Sequence, residues 1–175
     1  KTLPDVLVSH QQLQKFGLES LYSRVKINRL PGIRVERLVF DENNRKWLAT
    51  PNGLFSFKGV EAEKLILPYG IKDLDFDAKN QTLWVLTESK GLFAIQHGRL
   101  IDSITIANKR GGVICWDLCR DQHNEIWIGT AGGLFRVIGK PGKLKLIDYW
   151  GVLGLGSEKI NAIEVSNDHI YIGKD

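Results

Sequence analysis

Apolar positions along this chain come in short runs separated by polar, glycine-bearing turns, and the runs repeat. Asn124-Glu125-Ile126-Trp127-Ile128-Gly129-Thr130-Ala131-Gly132-Gly133-Leu134-Phe135 reads as a hairpin: an apolar strand, a glycine turn and a second strand. Trp47 to Phe55 and Trp84 to Phe93 are further copies, the latter with one extra turn residue, and a fourth opens at Tyr171-Ile172-Gly173. The aromatic positions 47, 84, 127 and 171 are spaced by 37, 43 and 44 residues. Self-similarity at this period marks a propeller, a solenoid or an array.

The repeats overlay from residue 33 onward. Each begins with a predicted strand: Val35–Phe40, Ile71–Phe76, Cys115–Arg120 and Ile160–Val165. An aliphatic residue or cysteine opens it, and Leu or Ile stands three later. Polar turns follow at Asp41–Lys46, Asp77–Thr82, Asp121–Glu125 and Ser166–His169, where Asp and Asn tolerate left-handed backbone and bond to it locally. The second strand carries the aromatic residue. A turn with Gly53, Gly91 or Gly133 leads to a third strand starting Leu-Phe. A more variable fourth is predicted over Ala62–Leu67, Leu100–Ala107 and Leu144–Trp150.

Four short antiparallel strands per unit of about 40 residues describe a propeller blade. One such sheet cannot bury either of its faces alone, so blades stack face to face with the Trp and Leu-Phe positions filling the gap. Leucine-rich and helical repeats fit poorly, because no unit has a helix-length apolar stripe. The expected fold is all-β: a β-propeller fragment of three complete four-stranded antiparallel blades and the start of a fourth. The expected boundaries are an N-terminal segment 1–34, blades 35–70, 71–112 and 113–159, and a truncated blade 160–175. Residues 1–34 lack the full repeat. Their pattern fits a helix over His10–Ser23 capped by Ser9, weakened by Gly17, or a strand over Leu21–Leu30, before a Pro31-Gly32 turn.

The stretch Asp121 to Arg136, Asp-x-x-Asn-x-Ile-Trp-Ile-Gly-Thr-x-x-Gly-Leu-Phe-Arg, resembles the two-component regulator propeller repeat. Copies at Asp41–Phe57 and Asp77–Ile95 match less well, with Ala49 and Leu86 in place of the glycine before Thr. The resemblance spans residues 30–175 and implies several things. Such repeats build seven-bladed propellers in the periplasmic sensor halves of hybrid histidine kinases, many of which respond to oligosaccharides. The chain would then be a periplasmic or extracellular ligand-sensing module for a carbohydrate or other small ligand. Three blades and a fraction cannot close such a ring. The expected partners are therefore the remaining blades and an output domain on the same polypeptide, or a second copy closing the ring as a homodimer. Related propellers imply two alternatives: a metal-dependent lyase of the streptogramin-lyase type, or a structural, secretion-associated propeller that binds protein.

Composition bounds these readings. A chain of 175 residues fits one ordinary domain able to bury about 70% of its unfolded surface. The net charge of +4 is spread out, and no block of five like charges occurs, which argues against nucleic acid or an anionic membrane surface as partner. No apolar run approaches the roughly 18 residues of a membrane span. No signal peptide is visible, but the chain lacks a starting Met, so this does not assign a compartment. Cys115 and Cys119 lie roughly 13 Å apart on an extended strand, beyond the about 7 Å of a disulfide, and read as small buried hydrophobes.

In a four-stranded meander, the loops before each first strand share one end with the turns between strands two and three. That end gathers 68–72, 108–116, 151–160 and the Thr50, Thr87 and Thr130 turns. Ligand contacts concentrate in such loops. The ligand-binding candidates there are Tyr69, Lys72, Arg110, Trp116 and Trp150, since aromatic faces and long donors suit sugar rings or a protein partner. Trp116 and Trp150 fit interblade core equally well. No catalytic residue, metal site or cofactor is expected. Asp73, Asp75 and Asp77 imitate the start of a calcium loop, but Ala78 and Trp84 stand where Gly and Glu are required. His10, His97, His123 and His169 are isolated, and no Ser-His-Asp or Cys-His set assembles. Asn108–Gly112 is not a phosphate-loop motif. Asn80-Gln81-Thr82 is a glycosylation sequon only in a eukaryotic secretory pathway.

Overall fold

The computed structural model describes residues 34–58, 61–108, 111–152, 159–166 and 169–174. The predicted helix His10–Ser23, the alternative strand Leu21–Leu30 and the Pro31-Gly32 turn lie outside them. Strands β1 (Arg37–Phe40), β2 (Lys46–Thr50), β3 (Gly53–Lys58) and β4 (Glu61–Leu67) form a first four-stranded antiparallel meander. A second contains β5 (Ile71–Asp77), β6 (Thr82–Thr87), β7 (Leu92–Gln96) and β8 (Arg99–Ile104). Two-residue strands β9 (Ala107–Asn108) and β10 (Gly111–Gly112) make a separate ribbon. The third meander is β11 (Cys115–Arg120), β12 (Ile126–Thr130), β13 (Gly133–Ile138) and β14 (Lys145–Asp148). Strands β15 (Ile160–Ser166) and β16 (His169–Lys174) pair as the last sheet. The outermost strands depart from expectation: β8 stops at Ile104 because Ala107 pairs with Gly112 instead, and β14 is shorter than Leu144–Trp150.

The sheets are propeller blades because their cores lie between them. One apolar cluster joins Trp47, Ala49 and Leu54 of the first blade to Ile71, Leu74, Val85 and Phe93 of the second. Another joins Trp84, Leu86 and Ala94 of the second to Cys115, Leu118, Ile128 and Phe135 of the third. A third joins Trp127 and Leu134 to Ile160 and Ile163. Strand β6 is buried at all six positions, odd residues facing the first blade and even ones the third. A strand covered on both faces reads as a continuous apolar run, as Leu83-Trp84-Val85-Leu86 does. Burial falls off outward, and β8 is largely exposed.

The three-residue spacing in the first strands has a structural cause. An alternating strand would turn residues i and i+3 to opposite faces. The register slips between Ile71 and Asp73, between Cys115 and Asp117, and between Ile160 and Ala162. This β-bulge adds one residue, so Ile71 and Leu74, Cys115 and Leu118, and Ile160 and Ile163 share the face toward the preceding blade. The extra residues are Lys72, Trp116 and Asn161. Glu36 holds the corresponding place before β1, its N–H donating to Ala49 O at 2.9 Å.

The turns are built on the repeated aspartate. Asp121 Oδ1 accepts the N–H groups of His123 and Glu125 at 2.9 Å each, and Oδ2 accepts Trp127 Nε1–H at 2.9 Å. Asp41 does the same for Asn43, Arg45 and Trp47. Asn44 and Asn124 have φ of 55° and 61°, the left-handed geometry expected of the motif's asparagine. At the other end, Thr50, Thr87 and Thr130 donate to the carbonyls of Gly53, Gly91 and Gly133 at 2.8–2.9 Å.

Candidate functional site

The first strands of successive blades lie side by side and are tied at one recurring position. Asp73 is 2% exposed. Its Oδ2 accepts Leu118 N–H of the next blade at 3.2 Å and Arg37 Nη2–H of the preceding one at 3.1 Å. Asp117, one repeat on, accepts Ile163 N–H at 2.7 Å. Each aspartate thus uses an amide of the following first strand as its donor. Below these ties Arg120 pairs with Asp75 and donates to Asn124 Oδ1 at 2.9 Å. Asp77 Oδ1 accepts the N–H groups of Lys79 and Asn80. The three aspartates that imitate a calcium loop are therefore committed to protein donors.

Asp117 sits close to Asp73, and its carboxyl is pushed up to about 6. Burial is the main cause, followed by the hydrogen bond to Asp73; the Ile163 amide pulls the other way. A carboxyl raised above its unfolded value of 3.8 binds its proton more tightly in the folded chain. Its contribution is complete below that value and is lost as the pH rises through about 6. Asp117→Asn, which keeps an acceptor for Ile163, should raise the melting temperature at pH 8 and leave it nearly unchanged at pH 4. Thermal unfolding at the two pH values checks the sign. The cysteines stay unpaired: Cys115 is buried, which pushes its thiol up to about 12, and Cys119 is partly buried.

The predicted mouth forms at the bulged end. Glu88 N–H donates to Gly70 O at 2.9 Å, Cys115 N–H to Glu88 O at 2.8 Å, and Ala131 N–H to Ile114 O at 2.8 Å. These bonds stitch each blade's glycine turn to the loops before its own and the next first strand. The bulge residues Lys72 and Trp116 meet there, with the Lys72 ammonium 5.0 Å from the Trp116 ring centroid. Lys159, just before β15, lies at the same distance from that ring. Lys72 also pairs with Glu88 at 3.2 Å. Trp116 Nε1–H is buried and finds no acceptor among the described residues. A cavity of about 450 Å³ beside Lys72 is lined by Arg34, Glu36, Pro51, Gly70, Ile71 and Glu88.

Of the five candidates, Lys72 and Trp116 come together. Tyr69, half-exposed, stacks on Phe93 with ring centroids 5.9 Å apart. Trp150 is exposed beyond β14, its N–H donating to Asp148 Oδ1 at 2.8 Å. Arg110 lies outside the described residues. Lys159 was not singled out in the sequence; its one signal is its place in the 151–160 loop, immediately before the residue that opens a first strand.

The stacked meanders, tied at their inner strands and opening on a mouth of varied side chains, are the blades of a β-propeller. No protein-family model and no curated protein matches the sequence. Solved structures do match in fold. The extracellular domain of a hybrid two-component system from B. thetaiotaomicron is similar over 86% of this chain at 20% identity, with a TM-score of 0.64. PorZ, a surface component of the type-IX secretion system of Porphyromonas gingivalis, is similar over 81% of this chain at 13% identity, with a TM-score of 0.53. This chain spans 21% and 24% of the length of those two structures. Both neighbours are extracellular or surface proteins, and both likenesses are of fold.

Proposed function

We propose that this chain is part of an extracytoplasmic sensing propeller, a module of a two-component receptor that binds a carbohydrate or other small ligand at its mouth. The observation that carries the reading is the contrast between buried and bulged positions of the first strands. Ile71, Cys115 and Ile160 are all apolar and buried, whereas Glu36 and the bulge residues Lys72, Trp116 and Asn161, at the equivalent positions, are chemically all different, and Glu36, Lys72 and Trp116 meet at one opening. A repeated scaffold with a diversified rim suits recognition. The fold likeness to an extracellular two-component domain supports the same reading. Binding without catalysis is supported by the commitment of Asp73, Asp75 and Asp77 to structural bonds. Ligand occupancy would act by favouring one arrangement of the whole receptor over another. Reading the coding region on both sides of this segment tests the proposal. Further blades, a membrane-spanning helix and a histidine-kinase region are expected in the same frame. A frame without span and kinase overturns the receptor reading in favour of a surface propeller that binds protein.

A further inference from the structure

We infer that the cleft between the second and third blades, at the end of the strands opposite the mouth, is a second binding site. Its ligand is a small, neutral, polyhydroxylated molecule of about disaccharide size, held by the Trp84 indole N–H and by side-chain amides. A cavity of about 580 Å³ lies there, against about 180 Å³ for the equivalent cleft between the first and second blades. The larger volume is within the usual range for small-ligand sites, roughly 300–1,000 Å³. Ile101 of the outermost strand β8 and the turn at 139–142 line its outer side.

The second repeat departs from its neighbours around this cleft. Trp47 and Trp127 stand six residues after the turn aspartate and donate their N–H to it, whereas Trp84 stands seven after Asp77. In that longer turn Asp77 Oδ2 accepts Asn80 Nδ2–H at 2.7 Å, and the Trp84 N–H has no partner among the described residues. Trp47 also has the Arg45 guanidinium 5.8 Å from its ring centroid, and Trp127 has that of Arg136 at 4.8 Å. Thr82 and Ala94 hold those two places around Trp84, and both are too short to cover the ring. Trp84 is only 5% exposed, yet its N–H is not among the buried atoms as that of Trp116 is, and it lines the cavity. A donor without a partner at so buried a residue costs stability, and a ligand oxygen removes that cost.

The rest of the lining sets the class of ligand. Three side-chain amides are each half used. Asn80 donates to Asp77, Gln96 Nε2–H donates to Asn80 O and Thr82 Oγ1 at 3.0 and 2.9 Å, and Asn124 Oδ1 accepts from Arg120. Asn80 Oδ1 and Gln96 Oε1 remain as acceptors, and Asn124 Nδ2–H remains as a donor beside the Trp84 N–H. A mixed set of donors and acceptors suits hydroxyl groups, each of which both gives and accepts. The carboxylates of the lining are committed, Asp77 to two backbone amides and to Arg120 at 3.8 Å, and Glu125 to Arg136. A cationic ligand therefore finds no free counter-charge. An anionic one meets both carboxylates, with only the exposed Lys140 in its favour.

The test follows the indole N–H signals of the isotope-labelled protein by NMR, with affinities from calorimetry. Without ligand, the Trp84 N–H is expected to exchange with solvent faster than the bonded N–H groups of Trp47 and Trp127. Maltose, cellobiose and lactose are then added at millimolar concentration. At least one should shift the Trp84 signal and slow its exchange, leaving the other two signals in place. Trp84→Phe and, separately, Gln96→Leu should each weaken that sugar about tenfold, the scale of one hydrogen bond. Gln96 is partly exposed, so its variant keeps the test open if Trp84→Phe fails to fold. Lys72→Gln, at the mouth, should leave the affinity unchanged. The inference is overturned if none of the three sugars binds, or if digalacturonate binds more tightly than they do. It is also overturned if variants that melt like the parent keep full affinity, or if Lys72→Gln abolishes binding. The site does not depend on the receptor reading, which the coding-region test decides separately.

Discussion

Replacing Asp73 by alanine is expected to lower the stability of the fold by about 3 kcal/mol, the sum of a lost charge-assisted bond and a stranded buried amide. The carboxylate is almost fully buried and joins three blades, taking Arg37 from one side and Leu118 N–H from the other. Arg37 is half-exposed and can turn to solvent, so its loss is the smaller part. Leu118 N–H cannot follow it. Asp73→Asn keeps an oxygen acceptor and should cost only about 1 kcal/mol, the worth of one ordinary hydrogen bond. It should also lower the pH at which Asp117 titrates, because the Asp73 bond and charge both raise it. Thermal melts of the two variants, with the Asp117 carboxyl followed by NMR, separate these effects. Equal losses for the alanine and asparagine variants would show that Asp73 does not hold the blades through its acceptor oxygens.

Gly129→Leu should be nearly as severe, at about 3 kcal/mol, the upper end for overpacking a core. For a chain of this length that is roughly 6–12 °C in melting temperature. A Cβ on Gly129 would stand 2.8 Å from both the carbonyl oxygen and Cγ2 of Ile160. The equivalent residues of the other blades show why the position is not glycine everywhere. Leu86 faces the small Cys115, and Ala49 faces Ile71. Each interface sets one large side chain against a small one, and the large one stands on either blade. The Gly129→Leu/Ile160→Cys double variant brings together the residue types of Leu86 and Cys115 and should recover part of the loss, the close approach to the carbonyl oxygen of residue 160 remaining. A double variant no more stable than Gly129→Leu alone would refute the exchange of volume between neighbours.

The blades were legible because their signals are local. The Trp-bearing apolar run, the Asp and Asn of one turn and the Thr and Gly of the next each follow from a few neighbouring residues. The bulge was legible in part: Ile71 and Leu74, or Cys115 and Leu118, stand at a spacing that an unbroken alternating strand does not explain. The ends of β8 and β14 were less so, since an outer strand covered on one side lacks a continuous apolar pattern. The ties between blades left weaker traces still. Asp73 meets Leu118 across 45 residues and Asp117 meets Ile163 across 46, close to one repeat, yet Arg37 and Ala162 occupy the same place in their own strands. The meeting of Lys72 and Trp116 follows from placing both on bulges. Lys159 joins them from a loop whose residue pattern predicts no geometry.

The aspartate ties near the axis also bear on how the assembly can deform. Asp73, Asp117 and Arg120 bind neighbouring wedges at the hub, where the mouth residues are rooted. At the periphery the second and third wedges meet through a lighter clasp, Asp102 accepting Gly142 N–H at 2.6 Å. Such an object gives least at its pivot and most at its outer margin, because apolar clusters lock the wedges together along their inner length and burial falls off outward. A molecule seated near the pivot would shift contacts by fractions of an ångström there, and the lever arm would carry a larger displacement to the outer margin.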